Sequence, residues 1–338
     1  MYMHNVVKKS PVRGLKGLFF GLLLFSAQSL FCAAAPPRSD RIAAWGNLSY
    51  DLNPDSNSRE CCEVVQIAAG TFHSLALKRD GKVLAWGDNS FGQTNVPNRV
   101  KRGFAIEIAA GNVHSIALMG DRTVTCWGPP AGQFGDYGQC NVPSGLKHVV
   151  AVAGGALHSL ALKRDGTVAA WGADFAGQCD IPAGLSNVVA IAGGTYHSLA
   201  LKRDGTVVAW GNNDWGQTSV PEGLNDVVTI AAGGNHCLAL KKDGSVVFWG
   251  TYGLAQMTAP ADLTNVVAIA TGDYHSLTLQ RDGSVVAWGF NTVGQCNVPL
   301  GLTNVLAIAA HGSYSMSLAD GPPVHASRFH LIHGRLRR

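Results

Sequence analysis

A 39-residue segment recurs along this chain, and its clearest copy is residues 188–226, VVAIAGGTYHSLALKRDGTVVAWGNNDWGQTSVPEGLND. A Trp-Gly pair marks each copy. These pairs begin at Trp45, Trp86, Trp127, Trp171, Trp210, Trp249 and Trp288, so the spacings are 41, 41, 44, 39, 39 and 39 residues. A fixed period in this range indicates one supersecondary unit per copy, with each unit stacked on its neighbours.

The composition of one copy predicts four short β-strands. Residues 188–193, 197–201 and 206–210 are apolar or β-branched, and Asp204-Gly205 before the third run is a hairpin signal. Residues 217–220 form the predicted fourth strand, which ends before a proline that cannot donate to a ladder. Strands that are apolar on both faces pack between neighbouring sheets, as in the blades of a β-propeller. We assign the Ala/Gly-rich first run as the innermost strand, because little room remains near the axis.

The two ends of the repeated region complement each other. The last copy starts at Val305 and stops at an Asp320-Gly321 turn after only two strands, whereas residues 41–46, RIAAWG, form an isolated third strand. We predict that the two fragments complete one shared blade, which removes free sheet edges. Six whole units plus this blade make an all-β, seven-bladed β-propeller over residues 41–321.

The repeat pattern is Ala-Gly-x-x-His-Ser-x-Ala-Leu, then Asp-Gly-x-Val, Trp-Gly-x-Asn and Gly-Gln. It resembles the regulator of chromosome condensation repeat family, whose members are seven-bladed propellers, over nearly all of residues 41–321. The ending Gly-Gln-Thr-x-Val-Pro, at 92–97 and 216–221, is similar to secreted bacterial members such as the propeller β-lactamase inhibitor proteins. Departures at Asp121-Arg122, Ala255 and Tyr314 affect single turns and leave the expected fold unchanged.

Residues 1–35 read as a signal peptide, because basic residues precede an apolar run and a Cys-Ala-Ala-Ala cleavage zone. The apolar run is too short and interrupted for a membrane span. Residues 36–40 are a predicted linker, and 322–338 a basic tail that we expect to be disordered. Removing four basic residues with the leader leaves 26 − 4 = 22 basic against 22 acidic residues. This balance gives no electrostatic case for nucleic acid. We expect a secreted, periplasmic or cell-surface monomer.

Seven cysteines remain in the mature chain: Cys61, Cys62, Cys126, Cys140, Cys179, Cys237 and Cys296. Three of them share one repeat position, which implies similar environments rather than pairing. An exported protein could oxidise cysteines, but their connectivity cannot be read from a sequence. We favour small buried hydrophobic residues, and no zinc-ligand spacing occurs.

Six histidines share one register: His73, His114, His158, His197, His236 and His275. A ring of imidazoles around a channel would suit a metal ion. Each histidine nevertheless starts a second strand, outside the innermost one. We therefore favour a structural role in which a ring nitrogen bonds to a neighbouring backbone group, and we assign the seven Trp-Gly tryptophans to the blade core. We predict no metal and no cofactor.

No catalytic motif such as Gly-x-Ser-x-Gly or His-Glu-x-x-His occurs. The Asp-Gly aspartates are turn formers. Glu107 and Asp273 are polar exceptions to the repeat without an evident partner. We therefore expect no enzyme. Guanine-nucleotide exchange, which the family resemblance suggests, is disfavoured because the leader would export the chain.

The Gly-x-x-His turn and the loop after Trp-Gly share one face, because successive strands alternate in direction. The variable positions of that face carry aromatic residues: Phe72, Phe91, Tyr137, Phe175, Tyr196, Trp215, Tyr252, Tyr274 and Phe290, with Tyr50 as a further candidate. Exposed aromatic residues on a rigid scaffold are typical of protein interfaces. We predict a protein partner, with an extracellular or periplasmic enzyme among the candidates. The resemblance to the inhibitor propellers points to the same face.

Two alternatives stay open. A carbohydrate could stack on Trp215 and Tyr252 beside Asp214. The opposite face carries Lys-Arg or Lys-Lys pairs at residues 78–79, 163–164, 202–203 and 241–242. We expect a solvated rim there, and a site for an anionic polymer is the alternative.

Overall fold

The computed structural model describes residues 40–49, 63–250, 259–260 and 263–320. The predicted leader, linker up to residue 39 and C-terminal tail lie outside these ranges, as do Tyr50, Tyr252 and the Cys61-Cys62 pair. In chain order, the strands are β1 (Asp40–Gly46), β2 (Val64–Ala69), β3 (His73–Lys78), β4 (Val83–Gly87), β5 (Ala105–Ala110), β6 (Ser115–Met119), β7 (Val124–Trp127), β8 (Val149–Gly154), β9 (His158–Lys163), β10 (Val168–Gly172), β11 (Val188–Gly193), β12 (His197–Lys202), β13 (Val207–Gly211), β14 (Val227–Ala232), β15 (Cys237–Lys241), β16 (Val246–Trp249), β17 (Val266–Thr271), β18 (His275–Gln280), β19 (Val285–Gly289), β20 (Val305–His311) and β21 (Tyr314–Asp320). A short helix, α1 (Asn98–Lys101), lies in the connector between β4 and β5.

Within the described residues, these strands form seven antiparallel sheets of three strands each. The Ala/Gly-rich strand of every sheet contacts the equivalent strand of the next sheet, in the order β2, β5, β8, β11, β14, β17, β20 and back to β2. The ring is therefore closed, and the Ala/Gly-rich strand is innermost. This arrangement confirms the predicted seven-bladed propeller.

The shared blade is also confirmed. Strand β1 pairs with β21 over its whole length, from Asp40 opposite Asp320 to Gly46 opposite Tyr314, and β20 completes the sheet. The start and the end of the described propeller are thus held together by backbone hydrogen bonds.

The predicted fourth strand is wrong: residues 217–220 form turns and coil. Local groups already satisfy their backbone N–H groups. The Thr218 N–H donates to Asn213 Oδ1 at 3.0 Å, and those of Ser219 and Val220 donate to Gly216 and Thr218 carbonyls. Backbone groups that are bonded within the loop cannot also build a ladder, so each blade keeps three strands.

The hydrophobic core lies between the blades. Leu199 and Leu201 of β12 pack with Ile230 and Trp249 of the next blade in one buried cluster. Each sheet therefore contributes apolar side chains to two neighbours, as strands with two apolar faces require. No helix among the described residues is long and apolar enough to cross a membrane.

Candidate functional site

The propeller has two chemically different faces. The Asn212 N–H after β13 donates to the Tyr196 carbonyl before β12 at 2.8 Å, so the loop after Trp-Gly lies against the Gly-x-x-His turn. We call this side the aromatic face. It consists of the turns 70–72, 111–113, 155–157, 194–196, 233–235, 272–274 and 311–313 and of the loops 47–49, 88–95, 128–141, 173–180, 212–219 and 290–297. We call the other side the basic face; it consists of the hairpin turns 78–82, 119–123, 163–167, 202–206, 241–245 and 280–284.

A repeated side-chain joint fixes each blade to the next beneath the aromatic face. His158 Nε2 lies 3.0 Å from Ser198 Oγ of the following blade. Ser198 in turn donates to the Gln178 carbonyl at 2.9 Å. The serine proton is therefore used, and the histidine Nε2 is the donor to serine. The Trp210 indole N–H donates to the same carbonyl at 2.9 Å.

Six equivalent joints occur among the described residues. They are His73 with Ser115, His114 with Ser159, His158 with Ser198, His197 with Cys237, His236 with Ser276 and His275 with Ser315. All six histidines are buried. Their partner is a side chain of the next blade, where we had predicted a backbone group. Among the described residues, no group of three or more His, Cys, Asp or Glu is arranged for a metal ion.

The joint explains two glycines of the repeat. The His197 ring occupies the space where a Cβ on Gly194 would lie, so only glycine fits before each buried histidine. Gly211 of the Trp-Gly pair has φ +104°, and a Cβ there would lie 2.5 Å from the Tyr196 carbonyl oxygen. Glycine tolerates both the backbone conformation and the close approach.

Burial sets the protonation state of the joint histidines. Loss of hydration lowers the pKa of His73, His114, His197 and His236 from 6.5 to about 3. It lowers the pKa of His158 and His275 to about 4. The neutral imidazole is the form that fits each joint, because burial penalises the charged one.

Glu107 and Asp273, the two polar exceptions to the repeat, both contact residues of a neighbouring blade. Glu107 is buried, and its Oε1 accepts from the Val152 N–H of the next innermost strand at 3.5 Å. Gln66 makes the same crossing to Ile108, with bonds of 2.9 and 3.1 Å. The Asp273 carboxylate lies 3.9 Å from His311 Nδ1. Both residues thus have partners that the sequence did not reveal.

The predicted aromatic residues divide by exposure. Phe175 is 66% exposed, Tyr137, Tyr196, Trp215 and Tyr274 are each about two-fifths exposed, and Phe72, Phe91 and Phe290 are half-buried. Several rings touch: Tyr137 and Phe175 meet edge to face with centroids 5.3 Å apart, and Tyr274 and Phe290 with centroids 6.3 Å apart. Tyr252 lies outside the described residues.

The aromatic face contains one further exposed aromatic residue, which the repeat pattern did not predict. Phe134 is 85% exposed, and its ring centroid lies 6.2 Å from that of Phe91. It sits in the five-residue insertion between Trp127-Gly128 and Gly138-Gln139. The sequence signal that could have identified Phe134 is an aromatic residue inside the longest loop of this face.

A disulfide braces that inserted loop. Cys126 and Cys140 are bonded to each other, 14 residues apart. Our preference for unpaired cysteines is wrong at this pair. Only this repeat has cysteine both before the tryptophan and after Gly-Gln, and the loop brings those positions together. Among the described residues, Cys179, Cys237 and Cys296 are free thiols.

The lysines of the basic face neutralise turn carboxylates. Lys202 Nζ lies 3.1 Å from Asp204 Oδ2 and Lys82 Nζ 2.8 Å from Asp80 Oδ2. Hydrogen bonds from Thr206 and Lys202 lower the pKa of Asp204 to about 2. Part of the positive charge that an anionic polymer would need is therefore already paired.

The comparisons with known proteins agree with this architecture. The family model for the Regulator of chromosome condensation (RCC1) repeat matches residues 64–93, 149–178, 188–217, 227–251 and 266–295. The matched ranges omit the second blade, which carries the insertion, and the shared blade. A search of the curated proteins found no match to this chain.

Solved structures share the fold at low sequence identity. Prp20p from Saccharomyces cerevisiae is 23% identical with a TM-score of 0.70, over 86% of this chain and 93% of that one. Human WBSCR16 is 19% identical with a TM-score of 0.65, over 83% and 99%. The ectodomain of the receptor kinase CR4 from Physcomitrella patens is 23% identical with a TM-score of 0.60, over 74% and 69%. Together with the repeat matches and the seven closed blades, these similarities establish that the chain is an RCC1-repeat seven-bladed propeller.

Proposed function

We propose that this protein is an exported, non-catalytic propeller that binds another protein through its aromatic face. The observation that carries the proposal is the exposure of Tyr137, Phe175, Tyr196, Trp215 and Tyr274 on one side of the ring. Turn and loop tips are usually polar, whereas large aromatic side chains dominate the energetic centres of protein interfaces. The buried joints beneath them make the surface rigid, so little ordering entropy is lost on binding.

The chemistry of the described residues supports a binding rather than a catalytic role. The six repeat histidines are buried within the blade joints. Burial raises the pKa of the Cys179 thiol to about 12 and that of Cys296 to about 11. A thiol held in its protonated form is a poor nucleophile.

Structural relatives give examples of protein binding on this scaffold. The Prp20p study concerns its binding to Gsp1p and histones, and yeast RCC1 has been solved bound to Kap60. These partners belong to those proteins. We infer from them only that an RCC1-repeat propeller can serve as a protein-binding platform.

The disulfide supports export, because such bonds persist in oxidising compartments. Mass mapping of the protein from its native host tests this part of the proposal. We expect an N-terminus near Ala35 or Pro36 and an oxidised Cys126–Cys140 pair. An intact Met1 together with reduced cysteines would contradict export.

Affinity capture tests the binding role. The mature chain is immobilised and exposed to the secreted fraction of the source organism, alongside Trp215→Ala and, from the opposite face, Lys202→Ala. We expect a partner that is retained by the unmodified chain and by Lys202→Ala, and lost with Trp215→Ala at an unchanged melting temperature. Retention by Trp215→Ala and loss with Lys202→Ala would move the site to the basic face. Saturable glycan binding on a sugar array that is lost with Trp215→Ala, in the absence of a protein partner, would favour the carbohydrate alternative.

A further inference from the structure

Charge is strongly divided between the two faces of the ring. Among the described residues, the turns and loops of the aromatic face carry several aspartates but no lysine or arginine. On the basic face, by contrast, lysines and arginines outnumber the aspartates of the hairpin turns. The described turns and loops of the two faces therefore carry opposite net charges.

Most aspartates of the aromatic face are adjacent in sequence to one of its exposed aromatic residues. An aspartate directly precedes an exposed aromatic residue four times, at Asp136-Tyr137, Asp174-Phe175, Asp214-Trp215 and Asp273-Tyr274. The first three belong to the loops of three consecutive blades. Repeat symmetry does not impose these pairs, because the corresponding loop positions of the first and sixth blades carry Ser90-Phe91 and Thr292-Val293.

The exposed carboxylates of Asp174 and Asp214 can each accept a further hydrogen bond from a bound partner. Asp174 uses Oδ1 to accept from the Cys179 N–H at 2.8 Å, and Asp214 uses Oδ2 to accept from Asn212 at 2.8 Å. Each carboxylate therefore has a second oxygen with lone pairs that these contacts leave available. The internal bonds also hold both groups in fixed positions beside Phe175 and Trp215.

A carboxylate beside an aromatic ring is suited to a cationic side chain. The carboxylate accepts its N–H groups, and the ring face attracts the same charge through its quadrupole. Arginine satisfies both requirements at once, because its planar guanidinium stacks on a ring and donates in a fork. A nucleic acid or another anionic polymer would be repelled by the same surface.

We propose that the partner of the aromatic face presents a basic, arginine- or lysine-rich protein surface, and that the Asp-aromatic pairs at 174–175 and 214–215 contact its cationic side chains. This inference rests on the proposed binding function and specifies the chemistry of the partner. The basic face repels the same partner, so the charge division also orients the encounter.

The test uses an arginine-glycine repeat peptide as the probe, with a glutamate-glycine peptide of equal length as its control. Binding to the full mature chain is measured by fluorescence anisotropy at low and high salt. The variant Asp174→Asn/Asp214→Asn is compared with Asp165→Asn/Asp204→Asn, which removes two exposed carboxylates from the basic face. Asparagine keeps one acceptor oxygen for the hydrogen bonds within each loop or turn, and the basic-face variant loses only exposed contacts with Lys163 and Lys202. All proteins should therefore fold.

We expect the arginine peptide to bind the unmodified chain. Its affinity for Asp174→Asn/Asp214→Asn should be about tenfold weaker, which corresponds to about 1.4 kcal/mol. Added salt should lower the affinity of the arginine peptide for the unmodified chain by a similar factor, because salt screens exposed charges. The basic-face variant should bind as the unmodified chain does. Equal losses in both variants, or tighter binding of the glutamate peptide, would overturn the inference.

The same variants separate this inference from the binding function itself. If a captured partner is lost with Trp215→Ala but is insensitive both to salt and to Asp174→Asn/Asp214→Asn, the protein-binding role stands and the basic-partner inference fails. If Trp215→Ala retains the captured partner, the binding role of the aromatic face fails first.

Discussion

The Tyr314 hydroxyl lies 3.0 Å from Ser74 Oγ, although the two residues are 240 positions apart. It donates to the His73 carbonyl at 2.7 Å, so Ser74 must donate to it. Tyr314 occupies the position that histidine holds in the other six copies. It therefore makes the seventh joint, between the shared blade and the first blade, and closes the ring of side-chain contacts.

Removing this hydroxyl should weaken the closure. Tyr314→Phe leaves the buried Ser74 hydroxyl without its acceptor, which costs about 1–3 kcal/mol. We expect a lower midpoint in urea unfolding, whereas Tyr196→Phe, which removes an exposed hydroxyl, should change stability by less than about 0.5 kcal/mol. Equal midpoints for the two variants would show that the seventh joint does not contribute to closure.

The joint between the fourth and fifth blades contains Cys237 in place of serine, with His197 Nε2 3.1 Å from its sulfur. A thiol is a weaker hydrogen-bonding group than a hydroxyl. Cys237→Ser should therefore be at least as stable as the unmodified chain, and Cys237→Ala should be less stable by about 1 kcal/mol. Thermal melts decide this. A serine variant that is less stable than the alanine variant would contradict the assigned role of the joint.

The buried histidines predict acid sensitivity. Their pKa values are lowered from 6.5 to between about 3 and about 4, so below pH 6.5 the unfolded chain binds protons that the folded chain excludes. Stability is fully present above pH 6.5 and falls as the pH decreases towards those lowered values. Urea unfolding in the upper part of this window should show the fall, and His158→Gln should reduce its slope. A stability that stays constant there would mean that the histidines are protonated in the fold.

The repeat predicted the architecture well because each blade is specified by residues close in sequence. Trp210-Gly211, Asp204-Gly205 and the runs between them define one hairpin, and the isolated strand before Gly46 revealed the shared blade. Contacts between copies were harder to infer. His158 donates its hydrogen bond to Ser198, one repeat further on. A periodic sequence does not show which copy supplies the hydrogen-bond partner of a side chain.

The irregular parts of the site resisted prediction for the same reason. Pairing Cys126 with Cys140 needs the path of the inserted loop, which no other copy shares. Exposure of Phe175 and partial burial of Phe91 depend on whether a neighbouring loop covers the ring. The aspartates beside the exposed rings were visible in the sequence, but the absence of basic residues around them became meaningful only when the two faces were separated.

The affinity of the isolated partner for two single-ring variants tests the central claim most directly. Phe175, 66% exposed on the aromatic face, and Phe104, 61% exposed beside the turns of the basic face, are a matched pair. Calorimetry with Phe175→Ala should give a Kd at least tenfold weaker, because a central aromatic contact contributes about 2 kcal/mol or more. Phe104→Ala should leave the Kd unchanged. An unchanged Kd for Phe175→Ala with a loss for Phe104→Ala would contradict the binding role of the aromatic face.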